Sequence, residues 1–231
     1  MTSETRLGTV RVVLTGRAVE FARGRKSAIA KTPRDGRVAV GRLGLEGDEQ
    51  GDTRFHGGPD KAVHAYAFEH YRDWIRELGE LPVLAAAGAF GENLGTVGIT
   101  EGGLCLADRL SIGTCVLEIS QARQPCWKLN ERFEVPDMAR RVQETRRTGW
   151  YMRVLEPGAV AAGDDIVLLA RPHPAWSLLR LMALLYGTPP GPEALREALA
   201  LPLVPSWRAL IERRLATGRV EDWGGRLEGP A

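Results

Sequence analysis

The chain is 231 residues long, 44% hydrophobic and 26% charged, the composition of a folded globular protein, which excludes wholesale disorder. Its 31 basic and 29 acidic residues leave a net charge of +2, far from the basic excess of a dedicated nucleic-acid module. Three cysteines with no Cys-x-x-Cys spacing give no disulfide framework, no apolar run is long enough to span a bilayer, and residues 1–11 carry no apolar signal core; the expected setting is the reducing cytoplasm, away from membranes.

From the N-terminus the chain reads as short strands divided by glycines. β-rich runs fall at residues 10–14, 19–22, 38–40 and 61–68. Residues 69–78 switch to helical spacing, with Tyr71, Trp74, Ile75 and Leu78 recurring. Residues 104–120 form the clearest hairpin: Leu110 and Ile112 alternate, Gly113-Thr114 turns, and Cys115, Leu117 and Ile119 share one face of the return strand. A helix is expected over 137–147, then strands at 149–155 and 165–169. So many short strands favour a closed barrel or sandwich over a parallel sheet. After Pro172-His173-Pro174 the strand pattern ends. Residues 177–186 read as a helix closed by Gly187, Pro192 can open a second, and Ser206 is the expected N-cap of a third. The division expected is a barrel over 1–171 and a small three-helix bundle over 172–231, with 226–231 a loose tail.

Polar chemistry is densest at residues 47–61, which hold four glycines and seven charged or imidazole groups. The pair Gly57-Gly58 would let backbone N–H groups approach an anion, with Arg54, His56 and Lys61 supplying positive charge; a solvated loop of Asp turns is the alternative. The stretch matches neither a dinucleotide fingerprint nor a P-loop. The second candidate follows the hairpin. Cys126 sits between Pro125 and Trp127, with Arg123 and Lys128 near enough in sequence to favour a thiolate, which is a nucleophile or a soft metal ligand. Any single cysteine can instead be a small buried hydrophobe, which Cys105 and Cys115 fit. His64 and His70 read as packing or surface residues, Glu92-Asn93 as a turn, and Trp150-Tyr151 as barrel packing with the tyrosine hydroxyl near a cofactor mouth as the other option. No close pair of ligand type supports a zinc site.

Taken in order, several of these stretches resemble the MOSC domain family in its YiiM type: Gly47-Asp48, then Arg54-Phe55-His56-Gly57-Gly58-Pro59-Asp60-Lys61, Phe90-Gly91-Glu92-Asn93-Leu94, Asp108-Arg109-Leu110-Ser111-Ile112-Gly113, Arg123-Gln124-Pro125-Cys126-Trp127-Lys128-Leu129 and Gly149-Trp150-Tyr151. MOSC names the C-terminal domain of molybdenum cofactor sulfurases. The resemblance runs from about residue 41 to 171, and the three-helix tail resembles the same subfamily. It implies a mainly β chain with α: a β-barrel of the pyruvate-kinase-barrel type, plus the small C-terminal bundle, binding the molybdenum pterin cofactor. Cys126 matches the family's molybdenum-ligating cysteine, and Asn93 a cofactor-contacting asparagine of related enzymes. Arg54, His56, Gly57, Gly58, Lys61, Arg123 and Gln124 complete the expected cofactor-binding set. Related enzymes reduce N-hydroxylated compounds, such as hydroxylaminopurines and amidoximes, to amines or amidines. The related two-part enzymes have a longer N-terminal half, so the substrate carries over less well than the cofactor.

Two other readings stand beside a reductase: a non-redox protein that binds the cofactor or carries sulfur on Cys126, and a barrel that binds nucleic acid through its arginines. A complete cofactor sulfurase would need a large pyridoxal-phosphate domain for which the chain has no room. Three cysteines are too few for an iron–sulfur cluster alongside a metal-ligating thiol, and no Gly-x-Gly-x-x-Gly follows a strand. A reductase of this kind is therefore expected to draw electrons from a separate flavoprotein or iron–sulfur protein.

Overall fold

The computed structural model describes residues 5–52, 56–187 and 191–229. In chain order its strands are β1 (Thr5–Thr15), β2 (Val19–Ala22), β3 (Arg25–Ser27), β4 (Thr32–Pro33), β5 (Val38–Gly41), β6 (Gly44–Leu45), β7 (Val63–Ala67), β8 (Leu94–Val97), β9 (Arg109–Ile112), β10 (Cys115–Ala122), β11 (Trp150–Glu156), β12 (Gly158–Val160) and β13 (Asp165–Ala170). The α-helices treated below are α1 (Glu69–Leu78), α2 (Lys128–Phe133), α3 (Met138–Thr145), α4 (Leu178–Tyr186), α5 (Pro192–Leu199), α6 (Pro205–Thr217) and α7 (Gly224–Leu227).

Seven strands close into a barrel in the order β13-β9-β10-β11-β7-β8-β1, with β1 pairing back onto β13. All joints are antiparallel except β7–β8, where Ala65 faces Leu94 and Ala67 faces Thr96. The alternation that marks the hairpin sets its register: Cys115 pairs with Ile112 and Leu117 with Leu110. Leu110, Ile112, Leu117 and Ile119 consequently point inward and are buried. The strand expected from residue 61 starts at Val63 instead, because Pro59–Lys61 make one turn of 3-10 helix. Pro59 has its φ fixed by its ring and no N–H to give a ladder.

The barrel core continues without a break into the C-terminal helices. Leu178, Leu181 and Met182 of α4 and Trp207 and Ile211 of α6 belong to the same apolar cluster as Val10, Leu94, Leu106 and Met152. Ser177 caps α4 by accepting from the Arg180 N–H at 3.2 Å. The third C-terminal helix departs from expectation: Pro205 occupies its first turn after Val204, one residue ahead of the anticipated Ser206 cap.

A second core lies outside the barrel wall. Tyr71 and Trp74 of α1 pack with Tyr66, Phe90, Leu129, Phe133 and Val142, and Phe90 stacks on Tyr66 at 4.0 Å. Leu227 of α7 is buried in this cluster too, which corrects the expectation of a loose tail from residue 226. Apolar burial at Leu227 and the backbone bonds described below hold residues 226–229 in place.

Candidate active site

Three segments meet around β7 and the start of β11: residues 56–61 before β7, 88–93 before β8, and 123–128 after β10. Together they line a pocket that includes His56, Lys61, Asn93, Arg123, Cys126 and Tyr151. It shares a wall, formed by His56, Lys61, Cys126 and Tyr151, with a wider outer cleft that Gln124, Trp127, Ser206 and Arg226 complete.

Cys126 is half-buried, and its Sγ lies 3.7 Å from His56 Nε2. Burial pushes the His56 pKa down to about 4, and the charges of Lys128, Arg123 and Lys61 push it the same way. The imidazole beside the thiol is thus neutral at neutral pH. Its Nδ1 is buried without a hydrogen-bond partner among the described residues. Arg123 is only 6% exposed. Its backbone N–H donates to the Gly149 carbonyl oxygen at 3.0 Å and its side chain hydrogen-bonds Tyr151, yet its Nη1 is buried with no partner among the described residues. Lys61 is drawn below the usual lysine pKa by burial, against the opposing pull of Cys126 and Asp60.

Asn93 is committed to the fold. Its Oδ1 accepts from the His64 N–H at 3.1 Å, while Nδ2 donates to the Leu14 carbonyl oxygen at 3.2 Å and to Asp48 Oδ2 at 2.9 Å. It borders the pocket and ties the end of β1 to the starts of β7 and β8. Gln124 faces the cleft, with its side chain against the Tyr186 hydroxyl. Gly57 and Gly58 line neither space; Gly58, at φ 96°, sets the turn into Pro59. Arg54 lies outside the described residues.

Other site residues carried weaker sequence signals. Lys31 and Asp48 form a buried ion pair on the pocket wall, and Asp48 also accepts from the Gly16 N–H at 2.8 Å. Burial lowers the Lys31 pKa and Asp48 opposes the shift. Lys128 Nζ donates to the Lys26 carbonyl oxygen at 3.0 Å. His64, first read as packing, is buried against the Tyr151 ring at 4.9 Å, and burial takes its pKa to about 3. Lys31 is 17 residues from Asp48 in sequence, and no local pattern could have paired them.

Buried carboxylates brace the loops from behind. Glu101 accepts from the Gly149 N–H and pairs with His70 Nε2, each at 2.7 Å. Glu92 accepts from the Tyr71 hydroxyl at 2.5 Å and from the N–H groups of Gly88 and Phe90 at 2.7 and 3.1 Å. Cys105 and Cys115 are both buried, and burial raises the Cys115 thiol to about 11, as expected of packing residues.

The donor set restricts what metal chemistry this pocket could host. Among the described residues, no group of three or more His, Cys, Asp or Glu side chains could hold a metal ion. A metal bound through Cys126 would therefore have to bring most of its ligands with it, as a metal in an organic cofactor does. The pocket suits such a group: one soft sulfur, and a buried guanidinium nitrogen free to bind an anion such as a phosphate.

Known proteins place the chain. The MOSC domain model matches residues 52–167, and the model of the YiiM-like, 3-alpha helix domain matches residues 176–218. Protein YiiM of Escherichia coli strain K12 is 38% identical over 218 residues, covering 94% of this chain and 97% of that protein. The chain is a MOSC domain protein of the YiiM type. The crystal structure of YiiM from Escherichia coli superposes with a TM-score of 0.80 at 32% identity, over 96% of this chain and 99% of that one. YiiM from Geobacillus stearothermophilus gives 0.77 at 32% identity, over 90% and 99%. A protein named Reductase from Gibberella moniliformis is 38% identical over 211 residues, which are 90% of this chain but 37% of that protein. Among the described residues no helix is long and apolar enough to cross a membrane.

Proposed function

We propose that this pocket binds the molybdenum pterin cofactor through Cys126 and that the protein reduces N-hydroxylated compounds, of the hydroxylaminopurine or amidoxime type, to amines or amidines. The observation that carries the reading is the meeting of a half-buried thiol with a buried arginine whose Nη1 has no partner. Family membership and the fungal relative's name support it. When bound, the cofactor would supply two-electron chemistry at a sulfur-ligated metal.

The chain's own residues provide the setting. Cys126 would hold the metal and Arg123 the cofactor's phosphate, by charge-assisted hydrogen bonds. Lys61 and Lys128 add positive charge to the same pocket wall. His56 stays neutral and so adds no competing charge. Lys61 lines both the pocket and the cleft, where its ammonium can give a proton at Nζ to a departing hydroxyl. Converting N–OH to N–H consumes two electrons and two protons and releases water; the electrons come from a separate flavoprotein or iron–sulfur protein, and the substrate enters through the outer cleft.

Metal and pterin analysis of protein purified from a cofactor-competent host tests the binding, and turnover of a hydroxylamino base tests the reaction. With NADH or NADPH alone the protein should be inactive; a reduced viologen dye should restore amine formation, but not in Cys126→Ser. Oxidation of NADPH by the lone, flavin-free chain would contradict this account. No conversion with the dye at full molybdenum occupancy would favour a non-redox cofactor or sulfur carrier on the same cysteine.

A further inference from the structure

The C-terminal end of the chain crosses directly over the cysteine loop. Arg226 donates through Nη1 to the Pro125 carbonyl oxygen and through Nη2 to Gln143 Oε1. The Trp127 N–H donates to the Arg226 carbonyl oxygen at 2.9 Å, and Asn130 Nδ2 to that of Leu227 at 2.8 Å. Arg23, stacked over the Trp127 ring at 5.0 Å, donates to the Glu228 carbonyl oxygen at 2.9 Å. Gly229 completes the crossing at φ 91°, where a Cβ would stand 2.5 Å from Arg23 Nη1 and 3.0 Å from Trp127 Cγ. Cys126 is thereby bracketed on both sides, at Pro125 and at Trp127. Residues 224–229 lie beyond both family matches, which end at 167 and 218.

We infer that residues 226–229 are a strap that fixes the orientation of Cys126, and that Arg226 is a positioning residue acting through the Pro125 carbonyl. A loop tied at both flanks opens less often than one tied at its ends. A planar guanidinium held by two acceptors and stacked 4.7 Å over Trp223 is a rigid tie. The consequence for metal binding rests on the function proposed above. The restraint itself does not, and it is measurable on the cofactor-free chain.

The test is iodoacetamide alkylation of the cofactor-free, full-length chain, resolved by site with mass spectrometry; buried Cys105 and Cys115 serve as internal references. Arg226→Gln removes the fork. Gly229→Val pushes the strap off Arg23 and Trp127 with Arg226 still in place. Arg208→Gln cuts the ties from α6 to the carbonyls of Leu199 and Leu201, loosening the helical segment without touching the cysteine loop or Trp223. Cys126 should be alkylated about tenfold faster in the first two variants, and at the native rate in Arg208→Gln despite its lower Tm. Rates within about twofold of native in both strap variants would overturn the proposal, as would equal acceleration by Arg208→Gln, because alkylation would then follow general loosening. If Arg226→Gln does not fold, Gly229→Val decides by the same criterion. A chain that never loads molybdenum would sink the function proposed above and leave this comparison of rates intact.

Discussion

Cys126 differs from the other two thiols in what surrounds it. Cys115 is held by apolar packing and Cys105 is buried against the Pro174 carbonyl oxygen, whereas Cys126 shares its pocket with Arg123, Lys61 and Lys128. Cys126→Ser should therefore abolish molybdenum retention and dye-linked turnover, because an alcohol is a harder and far less acidic ligand. Cys105→Ser and Cys115→Ser should keep both and lose only stability; molybdenum content by elemental analysis separates the three. Arg123 makes an opposite demand on the fold. A buried guanidinium with one nitrogen unpartnered costs stability in the absence of a counterion. Arg123→Gln should lower cofactor content sharply yet leave the Tm of the cofactor-free chain no more than about 2 °C below the native value. A large fall in Tm with unchanged cofactor content would show that Arg123 is a structural residue.

At the level of elements, Asn93 is the joint between three strands, and its removal is the sharpest test of how the pocket is held. Asn93→Ala deletes three hydrogen bonds, one of them to a charged acceptor, for a loss of roughly 3 kcal/mol. That corresponds to a fall in Tm of about 6–12 °C in a chain of this size, readable by calorimetry. An unchanged Tm would return Asn93 to the role of a simple cofactor contact. Asn93 also illustrates what the sequence could disclose. Its presence at the site was legible from motif order, but its three partners, at 14, 48 and 64, come from separate parts of the chain. The strands of the hairpin were legible because four to eight alternating residues fill several periods. β3, β4 and β6 were not, since two or three residues hold barely one period. β8 was obscured by Gly95, which the packing requires: a Cβ there would stand 2.3 Å from the Phe68 ring. The strap leaves no mark in the sequence, because its Gly-rich segment docks largely through carbonyl oxygens, which every residue possesses.

On the scale of the whole molecule, two neutral imidazoles, His64 buried and His56 half-buried, set the response to acid. An unfolded histidine takes up a proton near pH 6.5, but in the fold His56 and His64 do so only at about 4 and about 3. Below pH 6.5 the unfolded chain holds more protons than the native one, so stability is lost as the pH falls, by roughly 1.4 kcal/mol per pH unit for each imidazole until the folded group titrates. The Tm of the cofactor-free chain should fall steadily from about pH 6.5 to about pH 4.5, and His64→Gln should remove roughly half of that slope. An equal slope in the variant would assign the acid response to other groups. The barrel itself obeys a rule of parity. Around a closed ring, strands can alternate in direction only if their number is even, and here there are seven. One joint must therefore run parallel, and it falls at β7–β8. Two strands pointing the same way begin at the same end, so the chain has to return to its starting side, through α1, before it can enter β8. That return brings the segment carrying Gly91 and Asn93 alongside the one carrying His56 and Lys61, close enough for the Asn93 N–H to reach the His64 carbonyl oxygen at 2.7 Å. An even-numbered ring of strictly alternating strands would have set those two segments at opposite mouths, and half the pocket would face the wrong way.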